Sequence, residues 1–129
     1  MVCLFFTYGV SLKKWDELGI LEREAALYKN LVRQGLRVAF FTYGDKKDLD
    51  YAKQLPGIDI IPAYADKLKP KNNKIAFLQS FTLSFQFKDK LSRYSIFKTN
   101  QMWGAWTALI AKWLLRKKLL VRCGFEHYY

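Results

Sequence analysis

ILEREAALYKNLVRQGLRVAFFTYG, residues 20–44, decides the fold. Its first part sets Leu21, Ala25, Tyr28 and Val32 at three- and four-residue steps, with Leu27 and Leu31 widening the stripe, which predicts an amphipathic helix. Gly35 stands where a C-terminal cap belongs. Leu36 to Tyr43 is then an apolar strand, closed by Gly44. Upstream, Val2 to Tyr8 is another apolar run ending at Gly9, and Val10 to Gly19 lacks regular periodicity. The order is strand, loop, helix, strand.

The same alternation continues downstream. Asp45 can cap a short helix through about Gln54, Pro56-Gly57 makes a turn, and Ile58 to Pro62 is a third strand. Residues 66–74, DKLKPKNNK, read as a basic connection. Ile75 to Phe87 fits a helix through Leu78, Phe81 and Phe85, or a strand through Phe81, Leu83, Phe85 and Phe87; the alternating architecture favours the helix. Tyr94 to Thr99 is a fourth strand. Thr99 or Asn100 can cap a helix in which Trp103, Trp106, Ile110, Trp113 and Leu114 share one face, read most simply as core. Leu119 to Arg122 is a fifth strand.

Five strands separated by helices imply a single α/β domain over residues 1–129, of Rossmann-like three-layer form. Right-handed crossovers lead to a parallel sheet of order 3-2-1-4-5. In that order the winding reverses between strands 1 and 4, and ligands bind at the carboxyl ends of such strands. The expected crevice is therefore lined by residues 10–19 and 99–102, flanked by 43–45 and 122–125.

Composition excludes several classes. At 51% hydrophobic residues and 17% aromatics, the chain is not disordered. No apolar run approaches the ~18 residues that a membrane-spanning helix needs, and Met1 to Gly9 lacks the features of a signal peptide, so cytoplasm is the default expectation. Cys3 and Cys123 each lie in or beside an apolar run and read as reduced packing thiols. Charge is unevenly placed. Residues 1–66 hold nine Lys/Arg and nine Asp/Glu, residues 67–129 thirteen and two, so the second half carries the whole net +11. That half should attract anionic partners: a diphosphate-bearing ligand, an anionic membrane surface or nucleic acid.

The set Ser11-Leu12, Trp15, Gly19, Glu22-Arg23-Glu24, Leu27-Tyr28 resembles the first loop and helix of family 4 glycosyltransferases of the two-domain (GT-B) type. GLRVAFFTYGD (35–45) resembles the second strand of that family, and KTNQMWGAWTALIAKWLLRKKLLVRCGFEHY (98–128) its fourth strand, helix and fifth strand. The resemblance implies the N-terminal, acceptor-side domain of a retaining enzyme that moves a sugar from a nucleotide-sugar to a glycan or lipid-linked acceptor, as in polysaccharide biosynthesis. It also implies that the donor domain is missing: the family's paired glutamates stand eight positions apart, and glutamates here occur only at 17, 22, 24 and 126. No catalytic residue, metal ligand or cofactor is expected in this chain, and it should be inactive alone.

The substrate-binding candidates are Gly19, Arg23, Glu24, Asn100, Gln101 and Arg122. Gly19 allows close backbone approach to a diphosphate at a helix start, or merely makes a turn. Arg23 and Glu24 sit in the first turns of that helix, where a carboxylate also complements the dipole. Asn100 and Gln101 suit sugar hydroxyls, or cap the following helix. Arg122 can clamp a phosphate or carboxylate, or form a surface ion pair. His127 does not match the position of the family's functional histidine and reads as a tail residue. Asp48-Leu49-Asp50 has the outline of a DxD metal signature but lies early in a helix, where acids serve the dipole. A face bearing Trp113 beside Lys112 and Arg116 offers a membrane contact as an alternative to core. The competing functional reading is a basic module for membrane surfaces or nucleic acid; the latter lacks any RNP, KH or zinc-finger signature.

Overall fold

Apolar runs as continuous as VCLFF and VAFF suit strands covered on both faces, and the structure places them so. The computed structural model describes residues 2–65, 73–99 and 105–120. Five strands, β1 (Val2–Phe5), β2 (Val38–Thr42), β3 (Ile58–Pro62), β4 (Ile96–Thr99) and β5 (Lys118–Leu120), form one sheet of order β3-β2-β1-β4-β5. Every pairing is parallel; Cys3 lies opposite Ala39 on one side and Phe97 on the other. The order and direction are those expected from the sequence.

Alternation along the central strands divides the core into two halves. Leu4, Phe6 and Phe40 face one way: Phe6 stacks on Trp15 at 4.1 Å, and Phe40 meets the Tyr28 ring edge-on at 5.3 Å. Trp15 belongs to α1 (Leu12–Glu17) and Tyr28 to α2 (Leu21–Arg33). Phe5, Phe41 and Phe97 face the other way, where Phe41 contacts Phe87 at 5.3 Å. That second layer holds α3 (Asn73–Ser80), α4 (Leu83–Gln86), α5 (Lys88–Leu91) and α6 (Ala105–Leu115). Right-handed crossovers on opposite sides of β1 put helices on both faces.

Several local expectations are met with identifiable chemistry. Gly35 adopts φ +91 beyond α2, and the N–H groups of Gly35 and Leu36 donate to the carbonyls of Val32 and Leu31, closing the helix in a Schellman motif. Asp45 caps a 3-10 helix (Lys46–Lys53) by accepting from the Lys47 N–H at 2.9 Å. Residues 73–86 are helical in two pieces, α3 and α4.

Three expectations need correction. Residues 12–17 are not loop but α1, because the Ser11 side chain caps their first turn and Leu12 and Trp15 are buried. Leu27 does not widen the α2 stripe: it is 52% exposed, while Leu21, Ala25 and Tyr28 carry the burial. The tryptophan face of α6 is not core. Its buried face is Thr107, Ala108 and Ala111, and Trp113 is 77% exposed. Small side chains let the α6 backbone lie close to the sheet; Trp113 turns outward, while Trp106 is half-buried against Tyr8, Phe77 and Phe81 and donates to the Ser80 hydroxyl at 3.0 Å. Trp103 lies outside the described residues.

Candidate functional site

Where β1, β2 and β3 end, their following segments converge on a polar cavity of about 230 Å³. The β1 side supplies Gly9, Ser11 and Lys13; the β2 side supplies Tyr43, Gly44, Asp45 and Lys47; Tyr64 follows β3. Asp48 completes the lining from the 3-10 helix.

Asp48 organises this corner. Its carboxylate is 1% exposed and accepts from the Thr42 hydroxyl at 2.7 Å and from the backbone N–H groups of Leu12 at 3.1 Å and Lys13 at 3.3 Å. One side chain therefore ties the end of β2 to the first turn of α1, whose N–H groups have no partner within the helix. Gly44 permits the approach: a Cβ there would fall on the Asp48 carboxylate. The charge is held by hydrogen bonds rather than by a cation, which is how a buried carboxylate becomes tolerable.

The remaining lining groups face solvent or donate. Lys13 and Lys47 are exposed ammonium groups. Burial raises the Tyr64 phenol above its ordinary value, with the nearby Tyr8 adding to the shift. Burial likewise pushes the Tyr43 phenol up, outweighing the opposite effect of its 2.8 Å hydrogen bond with the Thr107 hydroxyl. Both phenols are therefore neutral at neutral pH. The lining contains neither His nor Cys, and its one internal carboxylate is committed to Thr42 and α1. The lining sets two lysines, Lys13 and Lys47, beside two carboxylates, Asp45 and Asp48, so it offers hydrogen-bonding groups of both kinds and no net charge. Among the described residues, no group of three or more His, Cys, Asp or Glu could hold a metal ion.

Two of the four loops expected around the crevice, residues 10–19 and 43–45, contribute to the cavity. Asn100, Gln101 and Arg122 lie outside the described residues, as do Cys123 and His127. Gly19 connects α1 to α2 with φ +72, and its N–H donates to the Asp16 carbonyl at 3.0 Å. It is a turn residue that closes α1, and the cavity lining does not include it. The α2 terminus after it has no side-chain cap from Ile20 but carries Glu22 and Glu24 in its first turn. Arg23 is exposed and contacts Glu24 at 3.3 Å, a surface pair worth about 0–1 kcal/mol. The structure thus brings together Lys13, Lys47 and Asp48, none of them singled out for binding by the sequence. Asp48 was legible as an acid early in a helix, within the outline of a metal signature, and not as a lining residue. The partner it caps was invisible, because α1 is 36 residues away in the chain.

Cys3 is fully buried in the strand core, where burial raises its thiol far above the ordinary value, as a packing thiol requires. Comparison with protein-family models, curated proteins and solved structures finds no match to this chain.

Proposed function

We propose that this chain is the acceptor-side half of a GT-B glycosyltransferase, binding a glycan or lipid-linked acceptor while a separate donor domain brings the nucleotide-sugar. The observation that carries the reading is the polar cavity at the carboxyl ends of β1 to β3, to which the two segments 11–28 and 35–45, holding much of the family resemblance, contribute Ser11, Lys13, Tyr43, Gly44 and Asp45. A site that sets the ammonium groups of Lys13 and Lys47 and the hydroxyls of Ser11, Tyr43 and Tyr64 beside the carboxylates of Asp45 and Asp48 is suited to holding a hydroxyl-rich or phosphate-bearing ligand, and the chemistry would be completed from outside. On this reading Gly19, Arg23, Glu24, Asn100, Gln101 and Arg122 meet the substrates when the second domain closes. The protein would act in the cytoplasm, at the inner membrane face, where lipid-linked acceptors reside. No helix among the described residues is long and apolar enough to cross a membrane.

The test has two parts. Purified protein incubated with UDP-, GDP- and dTDP-sugars and a panel of glycan or lipid acceptors should yield no product. Saturation-transfer NMR with water-soluble oligosaccharides and their phosphates should show binding that Lys13→Ala with Lys47→Ala weakens. Turnover by the chain alone, or binding indifferent to both lysines, refutes the proposal.

A further inference from the structure

The second helical layer ends in a face that the sheet does not use. Phe85, Leu109, Ile110, Trp113 and Leu114 line an open groove of about 480 Å³, and every lining side chain is apolar. Trp113 is 77% exposed, Phe85 58% and Leu109 46%. Phe81, itself 37% exposed and between α3 and α4, extends the strip by stacking on Trp106 of α6 at 5.7 Å. Phe81, Phe85 and Trp113 are the exposed aromatic residues among those described, and all three lie here.

Positive charge frames the strip. Leu109 and Trp113 are four residues apart on α6, and Lys112 and Arg116 form the neighbouring row at the same spacing. Lys88 and Lys90, both exposed, follow Phe85 in the chain, with the exposed Asp89 between them. From residue 73 to residue 120, Asp89 is the one acidic residue described, against nine Lys/Arg. Arg116 is placed at a backbone cost. It stands at φ +56, just past the end of α6, where the Lys117 N–H returns to the Lys112 carbonyl at 3.2 Å. Glycine fills that position most cheaply, yet a guanidinium occupies it, and strain held at such a place points to use of the side chain.

We propose that this face docks the protein on an anionic lipid surface, with Trp113, Phe85 and Leu109 entering the headgroup boundary and Lys112, Arg116, Lys88 and Lys90 meeting the lipid phosphates. Aromatic rings settle at that boundary, and basic side chains can bury their stems while their charges reach outward. The surface suits an extended anionic partner because Lys88, Lys90, Lys112 and Arg116 outnumber the single carboxylate of Asp89 near the apolar strip. A protein partner would need a matching acidic rim; a second copy of this chain would bring like charge against like. The inference rests on the peripheral placement proposed above but requires no sugar chemistry.

Vesicle flotation of the full chain tests it, using phosphatidylcholine alone and phosphatidylcholine mixed equally with phosphatidylglycerol. The wild type should float with the mixed vesicles and far less with the neutral ones, and added salt should weaken the association. Lys112→Gln with Arg116→Gln should lower partitioning about thirtyfold, since each basic residue near such a leaflet contributes roughly fivefold. Trp113→Ala with Phe85→Ala should lower it about tenfold or more through lost apolar contact. Leu27→Ala, exposed on the opposite layer, should change nothing, and circular dichroism should report native folds throughout. No flotation with mixed vesicles overturns the proposal, as does equal flotation of all variants. Dimerisation abolished by the Trp113→Ala pair, or tighter binding to a single-stranded oligonucleotide than to vesicles, also overturns it. Binding of water-soluble saccharides reads the polar cavity separately, so failure of either proposal is distinguishable from failure of the other.

Discussion

Replacing Asp48 by Ala should cost this domain a large part of its stability. The substitution strands the Thr42 hydroxyl and the Leu12 N–H in a buried corner and leaves the Lys13 N–H to partial solvent. Each buried donor left without a partner costs about 1–3 kcal/mol, and bonds to an ionised acceptor lie toward the upper end. The loss also removes a second acceptor from the N-terminus of α1, a capping contribution of about 1 kcal/mol, while the Ser11 hydroxyl still accepts from the Lys14 N–H. These contributions overlap, because the Leu12 N–H figures in both, so the expected total is about 3–4 kcal/mol. With an unfolding entropy of about 2.1 cal/mol/K per residue, a chain of this length loses roughly 11–15 °C in Tm. Urea unfolding followed by circular dichroism gives the free energy directly. Asp48→Asn keeps the volume and one acceptor and should cost about 1–2 kcal/mol. In a double-mutant cycle, Asp48→Ala should cost about 1 kcal/mol less in a Thr42→Val background, because the stranded hydroxyl is then absent. A loss below about 1 kcal/mol for Asp48→Ala, or strict additivity with Thr42→Val, would refute the view that this carboxylate ties β2 to α1.

Arg116→Gly should stabilise the fold by about 0.5–1 kcal/mol by relieving the left-handed backbone at φ +56, while weakening vesicle binding; a drop in Tm would show that the guanidinium is needed for folding. Alkaline pH should destabilise the domain. Cys3, Tyr43 and Tyr94 all have folded-state values raised by burial, so the unfolded chain loses these protons first, and stability present at neutral pH falls as pH rises past about 9. Urea midpoints from pH 7 to pH 10 report this, and a flat profile contradicts it. In an enzyme completed by a donor domain, Asn100→Ala or Gln101→Ala should each lower acceptor kcat/KM by about five- to 150-fold, the equivalent of ~1–3 kcal/mol, at unchanged Tm. Wild-type kinetics in both variants would remove these residues from the proposed site.

The strand order was legible because it follows from local facts that need no partner: runs of apolar residues, one helical stripe, and the handedness that any right-twisted strand imposes on its crossover. Phe40 and Phe41 illustrate the limit of such reading. Both are visibly core, yet only the sheet assigns Phe40 to Trp15 and Tyr28 on one face and Phe41 to Phe87 on the other. The site was half legible: the loops after β1 and β2 were placed by topology alone, whereas Asp48 acquires its role from Leu12 and Thr42, which the chain separates by 36 and six residues. In α6 the sequence by itself offered two faces, and hydrophobicity favoured the one with the tryptophans. Tertiary packing chose the other, because a helix must approach β4 and β1 closely to fill the space beneath it, and Thr107, Ala108 and Ala111 permit that distance where indole rings do not.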